Sequence, residues 1–248
     1  MSYDRHRANA AQTSERALRR EMVRIGRLMH ARGYVTATDG NISVRLDEER
    51  FLVTPSGLSK GYMTPEQMVV IDWEARPLGR GNDESGPLPM PSSEILLHLE
   101  AYRQRPDIAA VVHAHPVHAV VLSIAGIPLT HCPIPEVIVN LGAIPTTDYA
   151  MPASPEGATV IRELIRRYDA LILRRHGSVT VGKTLWEAYL HLEKLENAAE
   201  ITYRLLLLDQ ETPFPPTEIE KLLDKREKAG LMRPGQRAEI ARAWGLSS

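Results

Sequence analysis

The sequence predicts a single α/β domain, and three observations support this prediction. Segments with apolar residues at helical spacing alternate along the chain with short apolar segments typical of strands. The chain is 248 residues long, a length at which α/β folds commonly form one undivided domain. No segment is repeated elsewhere in the chain. We therefore expect one domain over residues 1–248, with a C-terminal extension over about 212–248.

The first quarter of the chain predicts one helix followed by short strands. Residues 14–33 have apolar side chains at helical spacing and end at Gly33, a typical helix C-cap. Two strand segments follow at 42–46 and 50–55, joined by a charged turn. Residues 64–79 add a helical turn, a strand and another turn.

A loop and a second helix come next. Residues 79–91 are rich in Gly and Pro, which predicts a surface loop. Residues 92–106 open with two serines and an acid, as a capped helix should, and the helix is expected to stop before Pro106.

The second half of the chain continues the alternation. It predicts a buried strand at 108–115, a helix at 116–126, a further strand region at 171–182 and a long amphipathic helix at 184–210. The tail that follows is expected to lie on the body or on a neighbouring subunit.

Charge and hydropathy argue against nucleic acid and membranes as partners. The 30 Lys and Arg residues nearly balance 31 Asp and Glu residues, so no excess charge steers the protein to either. Residues 108–129 are about as long as a membrane span, but three imidazoles and Pro116 would be costly in hydrocarbon. We expect small molecules or copies of the chain itself as partners.

The single cysteine, Cys132, excludes an internal disulfide and favours a reducing compartment. The Arg-rich residues 1–22 contain no apolar core of the kind a secretory signal needs. A cytoplasmic location is therefore expected.

Three histidines form a candidate metal site. His113 and His115 lie two residues apart on the predicted strand 108–115, so their side chains point to the same face, at a strand end. His176 ends another apolar segment and is followed by Gly177, which permits close backbone approach. Three imidazoles suit Zn²⁺ and leave an open position for chemistry. The alternative for the first two is a pair of hydrogen-bonded core histidines.

Glu94 supplies the carboxylate that proton chemistry at such a metal would need. It begins the helix predicted at 92–106, and His98 follows one turn later on the same helix face. The alternative is an acid that interacts only with the helix dipole. Three other histidines are not paired at ligand spacing on a strand, and we expect ordinary roles for them: His118, His131 and His191.

Three loops are rich in small hydroxyl and amide residues: "TATDGNIS" at 36–43, "TPSGLSKG" at 54–61 and "PSSE" at 91–94. Exposed backbone N–H groups together with such side chains bind phosphate without a large basic patch. Each loop alone is more often just a turn. Their occurrence beside the histidines favours a phosphorylated substrate next to a metal.

The stretch "GSVTVGKT" at 177–184 matches the nucleotide phosphate-loop pattern. However, its β-branched residues favour extended backbone, and no apolar segment ending in aspartate follows to bind Mg²⁺. We predict a strand, a turn and a helix start here.

Four segments together resemble the class II aldolase/adducin family, most closely its L-fuculose-1-phosphate aldolase branch, over about residues 15–205. They are "TDGNISVR", "VTPSGLSKGYMTPEQMVVID", "PSSEILLHLEAYRQRPDIAAVVHAHPVHAVVLS" and "LILRRHGSVTVG". The resemblance implies a three-layer α/β/α fold with a central, largely antiparallel sheet. It also implies a catalytic Zn²⁺ and a cyclic homotetramer with active sites at subunit interfaces.

The resemblance also implies residue roles. His113, His115 and His176 would be the zinc ligands, and Glu94 the acid/base, which in this family can also occupy a metal position when substrate is absent. The substrate phosphate would be held by Gly40, Asn41, Ser56, Gly57, Ser92 and Ser93. The expected reaction is cleavage of a ketose 1-phosphate to dihydroxyacetone phosphate and an aldehyde, with no Schiff-base lysine.

One position departs from the aldolase pattern. The fuculose enzymes have a tyrosine, contributed across the subunit interface, where this chain has Cys132, and a thiol is a weaker donor. Either the selection of the aldehyde differs, or another residue, such as Tyr149, Glu136 or one in the tail, takes over the proton. The related epimerases carry aspartate where Glu94 stands, which disfavours an epimerase. Dehydratases and decarboxylases share the zinc histidines, and adducin-like members have lost catalysis, so these alternatives stay open.

Overall fold

The computed structural model describes residues 14–79, 89–129, 134–209 and 214–246. The strands are β1 (Asn41–Arg45), β2 (Phe51–Val53), β3 (Val69–Ile71), β4 (Ala110–Ala114), β5 (Ala170–Leu173) and β6 (Gly177–Gly182). The helices are α1 (Glu15–Ala31), α2 (Ile95–Gln104), α3 (Val117–Ala125), α4 (Pro135–Asn140), α5 (Pro155–Thr159), α6 (Arg162–Ile165), α7 (Leu185–Leu207), α8 (Pro216–Lys228) and α9 (Gln236–Ala243). A short 3-10 helix, Pro65–Gln67, precedes β3.

The strands form one six-stranded sheet in the order β3-β2-β1-β4-β6-β5, and all neighbouring strands are antiparallel. One isolated parallel bridge joins Thr146 to Ile172 of β5. The register places Asn41 of β1 opposite His113 of β4, and Ser178 of β6 opposite Ala114. The largely antiparallel sheet implied by the family resemblance is confirmed.

Helices cover both faces of the sheet, and residues on both faces of the central strands β1, β4 and β6 are buried. On β4, Val111 joins a buried cluster with α2, α8 and α9, whereas Ala110 and Val112 join a cluster with α1 and α7. A third buried cluster connects β5 with α3, α4 and α7. The result is the predicted three-layer α/β/α architecture.

Helix α1 follows the sequence signals closely. The Ser14 side chain accepts a hydrogen bond from the backbone N–H of Ala17, and Gly33, just beyond the helix, has φ of +72°. Helix α2 starts later than predicted, with Glu94 at the N-cap and no capping side-chain hydrogen bond. The expected serine cap was wrong because Pro91 pairs with Pro55 and the Ser92 N–H bonds the Thr54 carbonyl, which keeps this segment extended.

The predicted strand region 171–182 is a tight hairpin of β5 and β6. The N–H of His176 donates to the carbonyl of Leu173, and Arg175 has φ of +58°. His176 therefore lies in the turn that precedes β6, three residues beyond the end of β5.

The phosphate-loop pattern at 177–184 does not form a nucleotide-binding loop. Residues 177–182 are strand β6, and the Thr184 side chain accepts from the N–H of Glu187 as the N-cap of α7. The predicted strand, turn and helix start are confirmed.

The C-terminal segment 214–246 packs on the body of its own chain. Ile219, Leu223 and Ile240 are buried in the cluster that contains α2. The Arg226 side chain donates to the carbonyl of Val139, and Arg233 forms an ion pair with Asp169.

Within the described ranges, no helix has the length and apolar character needed to cross a bilayer. The apolar stretch 108–129 is divided between β4 and α3 instead.

Candidate metal centre

Four side chains converge at one end of the central strands: Glu94, His113, His115 and His176. Their potential ligand atoms all lie within 4.8 Å of one another. Glu94 comes from the N-cap of α2, His113 from β4, His115 from just beyond β4 and His176 from the β5–β6 turn. Among the described residues, no other group of three or more His, Cys, Asp or Glu side chains is this close.

The contacts within this four-residue cluster are short. The Nε2 atoms of His113 and His115 are 3.0 Å apart. The two carboxylate oxygens of Glu94 lie 3.2 Å from His113 Nε2 and 3.1 Å from His176 Nε2. Each pair of imidazole rings has its centroids 4.8–4.9 Å apart. The four residues that the sequence indicated as candidates for one site therefore lie together in the fold.

A neighbouring strand sets the orientation of the His113 ring. His113 Nδ1 lies 2.8 Å from the carbonyl oxygen of Ser178 on β6, and a carbonyl can only accept a hydrogen bond. Nδ1 therefore carries a proton, and Nε2 is the ring nitrogen that faces the cluster. Such a second hydrogen bond is typical of histidines that bind metals. His115 Nδ1 lies 3.5 Å from a carboxylate oxygen of Asp39.

The geometry fits a divalent cation. The Nε2 lone pair of His113 faces a carboxylate oxygen at 3.2 Å and another imidazole at 3.0 Å, an arrangement that needs positive charge between these atoms. Two ligand atoms with ~2.1 Å bonds to a tetrahedral metal stand about 3.4 Å apart. Imidazole nitrogens with a carboxylate oxygen are a common ligand set for Zn²⁺ and neighbouring transition metals. The cluster can therefore hold such an ion.

Electrostatics keep Glu94 and His115 in the forms that bind a metal ion. Burial alone raises the pKa of Glu94, but its contacts with His113 and His176 outweigh burial and hold that pKa well below its ordinary value. Burial, reinforced by the charges of His113 and His176, lowers the pKa of His115 below its ordinary value. At neutral pH the carboxylate is charged and the His115 imidazole is neutral, as metal binding requires.

The three polar loops meet beside Glu94. The Asn41 side-chain amide donates to Glu94 Oε2 over 3.2 Å, and the Ile42 N–H donates to the Thr54 hydroxyl over 3.1 Å. The Ser92 N–H donates to the Thr54 carbonyl, which places the third loop against the second. The predicted phosphate residues of all three loops are therefore neighbours: Gly40, Asn41, Ser56, Gly57, Ser92 and Ser93.

These six residues differ in their availability to a ligand. Ser56, Gly57 and Ser93 are exposed, whereas Gly40 and Asn41 are buried. The Ser56 N–H already donates to the carbonyl of Met90, so the Ser56 hydroxyl, which has no hydrogen-bond partner in the described ranges, is the donor left for a ligand. The Oδ1 atom of Asn41 is buried with no hydrogen-bond partner among the described residues.

The remaining histidines have other partners. Buried His98 bonds the Ser43 hydroxyl through Nδ1 at 2.7 Å, and burial lowers the pKa of His98 to about 3. His118 Nδ1 pairs with Glu196 at 2.8 Å, and His191 Nδ1 donates to the carbonyl of Val181. The ordinary roles expected for His118 and His191 are confirmed. His131 and Cys132 lie outside the described residues.

A small cavity adjoins the cluster, lined by Ser93, Glu94, Asp148, Arg174 and His176 among others. Tyr149 lies in the loop that lines this cavity, whereas Glu136 borders a different groove, between α4 and α7. Of Tyr149 and Glu136, Tyr149 is thus the one beside the site within the described part of this chain.

Three residues near the cluster were not predicted from the sequence: Asp39, Lys60 and Ser178. Asp39 and Lys60 lie within the quoted loops, so their position was a usable signal. Ser178 contributes through its backbone carbonyl, which carries no signal in the residue type.

The chain is similar to known proteins in sequence and in structure. The family model described as class II aldolase and adducin N-terminal domain matches residues 20–203. L-fuculose phosphate aldolase of Methanococcus maripaludis is 36% identical over 183 residues, covering 74% of this chain and 94% of that protein. The 3-oxo-tetronate 4-phosphate decarboxylase of Haemophilus influenzae is 33% identical over 192 residues, covering 74% and 86%. The crystal structure of YgbL from Escherichia coli has a TM-score of 0.76 at 30% identity, covering 84% of this chain and 99% of YgbL.

Proposed function

The chain belongs to the class II aldolase and adducin family, and we propose that it is a zinc-dependent lyase that breaks a carbon–carbon bond of a phosphorylated sugar. The proposed reaction is cleavage of a ketose 1-phosphate, similar to L-fuculose 1-phosphate, to dihydroxyacetone phosphate and an aldehyde. The observation that carries this proposal is the convergence of three imidazoles and one carboxylate within 4.8 Å.

We assign the metal ligands to His113, His115 and His176. The donor set supports this assignment, because three neutral imidazoles bind Zn²⁺ and leave further positions for substrate oxygens. When bound, Zn²⁺ supplies Lewis-acid stabilisation of the negative charge that develops on the substrate carbonyl and its neighbouring hydroxyl, an effect of several kcal/mol.

Glu94 is assigned the acid/base role. In cleavage, the electrons of the broken bond remain on the ketone fragment as an enediolate, and that carbon then takes a proton. Glu94 is the carboxyl group within the cluster, and Asn41 holds one of its oxygens. Its contacts with His113 and His176 must loosen before it reaches a substrate carbon. Positioned proton transfer of this kind contributes ~10²–10⁴-fold to rate.

The three loops beside Glu94 are assigned to the substrate phosphate. The exposed Ser56, Gly57 and Ser93, with Ser92, offer hydroxyl and backbone donors on one side of the cluster. Gly40 and Asn41 are buried and belong to the first of these loops. Holding the phosphate fixes the reacting carbons relative to Glu94, which lowers the entropic part of the barrier.

Decarboxylation of a 3-oxo sugar acid phosphate is the second candidate. Two observations favour it: the similarity to the Haemophilus influenzae decarboxylase and the presence of Cys132 where the fuculose enzymes have tyrosine. Aldol cleavage needs a base for the hydroxyl proton of the departing aldehyde. Loss of carbon dioxide needs none, while the enediolate and its protonation are common to both reactions.

Product analysis of the zinc-loaded protein tests both candidates. Ketose 1-phosphates are assayed for dihydroxyacetone phosphate and 3-oxo-tetronate 4-phosphate for carbon dioxide, each with and without chelator. Chelator-sensitive release of dihydroxyacetone phosphate supports the aldolase. Release of carbon dioxide, with no dihydroxyacetone phosphate from the ketose 1-phosphates, supports the decarboxylase in place of the aldolase. If the metal-loaded protein forms neither product, the proposed lyase activity is wrong.

We also propose that the protein is a homotetramer with active sites at subunit interfaces. Helix α3 begins directly after the metal-site histidines and exposes an apolar stripe at i, i+4 and i+7: Val117, Val121 and Ile124, which are 57%, 40% and 49% exposed. A second copy would cover this stripe and border the site. Light scattering should give a mass near four times 27.7 kDa, and a monomer would contradict the assembly.

A further inference from the structure

Lys60 is a buried lysine beneath the proposed phosphate loops. Its side chain is 2% exposed, and its ammonium donates to the carbonyls of Thr38 over 2.7 Å and Leu58 over 2.6 Å. In the part of the chain that the structure describes, no carboxylate lies within ion-pair distance of this ammonium. The charge is therefore compensated mainly by two backbone carbonyls.

Helix α1 holds the backbone around Lys60 in place. A side chain at Gly26 of α1 would lie 2.6 Å from the Lys60 carbonyl oxygen, and one at Gly61 would lie 2.6 Å from the His30 ring. These close approaches press residues 60–61 against α1. The Lys60 side chain consequently extends from a fixed base toward the two loops.

An apolar side chain of similar volume would avoid the cost of desolvating the ammonium. Burial lowers the pKa of Lys60 to about 8, and the charges of Asp39 and Glu94 offset part of this effect. The ammonium thus remains mostly charged at neutral pH inside the protein. A purely space-filling role does not explain why a cation occupies this position.

The two carbonyls that Lys60 binds belong to the two loops whose spacing defines the phosphate subsite. Thr38 lies in the turn that leads to Gly40 and Asn41, and Leu58 follows Ser56 and Gly57 directly. Both turns contain left-handed backbone, with φ of +49° at Ala37, +71° at Gly40 and +73° at Gly57. Glycine adopts this conformation readily, whereas at Ala37 it persists only when surrounding contacts hold it.

We propose that Lys60 is a positioning residue for the substrate phosphate: its ammonium ties the turn at 36–41 to the loop at 54–60 and sets the spacing of their donors. This inference rests on the proposed phosphate subsite. The buried ammonium acts through the two loops, since two of its three N–H groups are committed to their carbonyls. The positive charge of Lys60 also favours the binding of an anion at these two loops.

Phosphate binding by three variants of the zinc-loaded protein tests this role. Lys60→Met removes the charge and the donors, Lys60→Gln keeps a donor without the charge, and Lys183→Met removes an exposed lysine beyond β6 as the matched control. Calorimetric titration with inorganic phosphate should show at least tenfold weaker binding for both Lys60 variants and a change under twofold for the control. Zinc content should stay the same in all three.

Kinetics with the phosphorylated substrate separate positioning from general damage. For Lys60→Gln, KM should rise at least tenfold while kcat changes less than threefold, because the cluster that acts on the reacting carbons is intact. A fall in kcat with unchanged KM would contradict the positioning role.

The outcomes distinguish this inference from the function on which it rests. If wild-type protein binds no phosphate, the phosphate subsite itself is wrong. If wild type and both Lys60 variants bind phosphate equally, the role of Lys60 is wrong and the subsite stands. Should Lys60→Met fail to fold, Lys60→Gln decides, together with hydrogen exchange on wild type. Phosphate should slow exchange in 36–41 and 54–60 together, and slowing in only one segment overturns the proposal.

Discussion

The Nδ1 atom of His113 donates a 2.8 Å hydrogen bond to the backbone carbonyl of Ser178. His113 lies on β4 and Ser178 on β6, and these strands pair with Ala114 opposite Ser178. The register of the sheet therefore determines the rotation of the imidazole and directs its Nε2 atom at Glu94. A backbone carbonyl of the paired strand thus orients the ring nitrogen that we propose binds the metal ion.

Replacing His113 with alanine should weaken zinc binding by more than about 100-fold, because it removes one of the three proposed nitrogen ligands. Zinc content after gel filtration and competition with a chromophoric chelator measure the effect. His191→Gln is the matched control, since His191 also donates Nδ1 to a strand carbonyl at 2.8 Å but lies outside the cluster. Equal zinc affinity in both variants would remove His113 from the metal site.

Glu94→Gln should retain zinc and lose ~10²–10⁴-fold in kcat, because the amide cannot transfer the proton. The imidazole ligands are unchanged, so zinc stoichiometry should equal that of wild type. The control is Glu218→Gln, which changes a partly exposed acid in the first turn of α8, far along the chain from the cluster. Turnover near the wild-type rate in Glu94→Gln would assign the proton transfer to another residue.

Gly40→Ala should destabilise the protein and disturb the metal site. Gly40 has φ of +71°, and an added Cβ would lie 2.5 Å from Val35 Cγ1 and 2.9 Å from the His113 carbonyl. Left-handed backbone costs ~1–2 kcal/mol and forced contacts in a packed region a further ~1–3 kcal/mol. Denaturant unfolding and zinc titration are the measurements.

Gly33→Ala is the control for Gly40→Ala. Its φ is +72°, but an added Cβ meets no atom within 4 Å, so only the backbone contribution of ~1–2 kcal/mol should appear. Zinc affinity should be unaffected. Equal losses of stability in the two variants would mean that crowding against Val35 and His113 is unimportant.

Asp169→Asn should lower the free energy of unfolding by about 3 kcal/mol at pH 7, because it leaves buried Arg105 and the tail residue Arg233 without their shared carboxylate. Burial alone raises the pKa of Asp169, but the charges of Arg233 and Arg105 lower it overall. Because the pKa of Asp169 is lower in the folded protein than the unfolded value of 3.8, the charged carboxylate contributes its full stabilisation above pH 3.8. This stabilisation is lost as the pH falls through the folded-state pKa. The difference from wild type should therefore persist down to about pH 4 and shrink below it.

Urea unfolding at pH 7 and at pH 3 tests this dependence. Asp224→Asn serves as the control, because Asp224 pairs with Arg237 at an exposed position and should contribute under ~1 kcal/mol. A difference between Asp169→Asn and wild type that is the same at both pH values would mean that the charge of Asp169 is not its source.

Much of the site was predictable because its signals are local. Alternation along a strand places His113 and His115 on one face, and the start of a helix places Glu94 near the ends of the strands. The strand, turn and helix start at 177–184 could also be predicted, since β-branched residues favour extended backbone. The α2 cap was mispredicted, because pairing between Pro55 and Pro91 overrides the preference of the serines for an N-cap.

The residue types and their short-range spacing are sufficient to single out the candidate histidines, the glutamate and the polar loops, because these patterns have periods of a few residues. Their proposed roles come from the family resemblance. The antiparallel register, the turn that carries His176, the carbonyl of Ser178 and the ammonium of Lys60 follow from contacts between residues far apart in the chain. Such contacts depend on how whole strands and helices pack. The folded chain therefore decides which way each of these groups points.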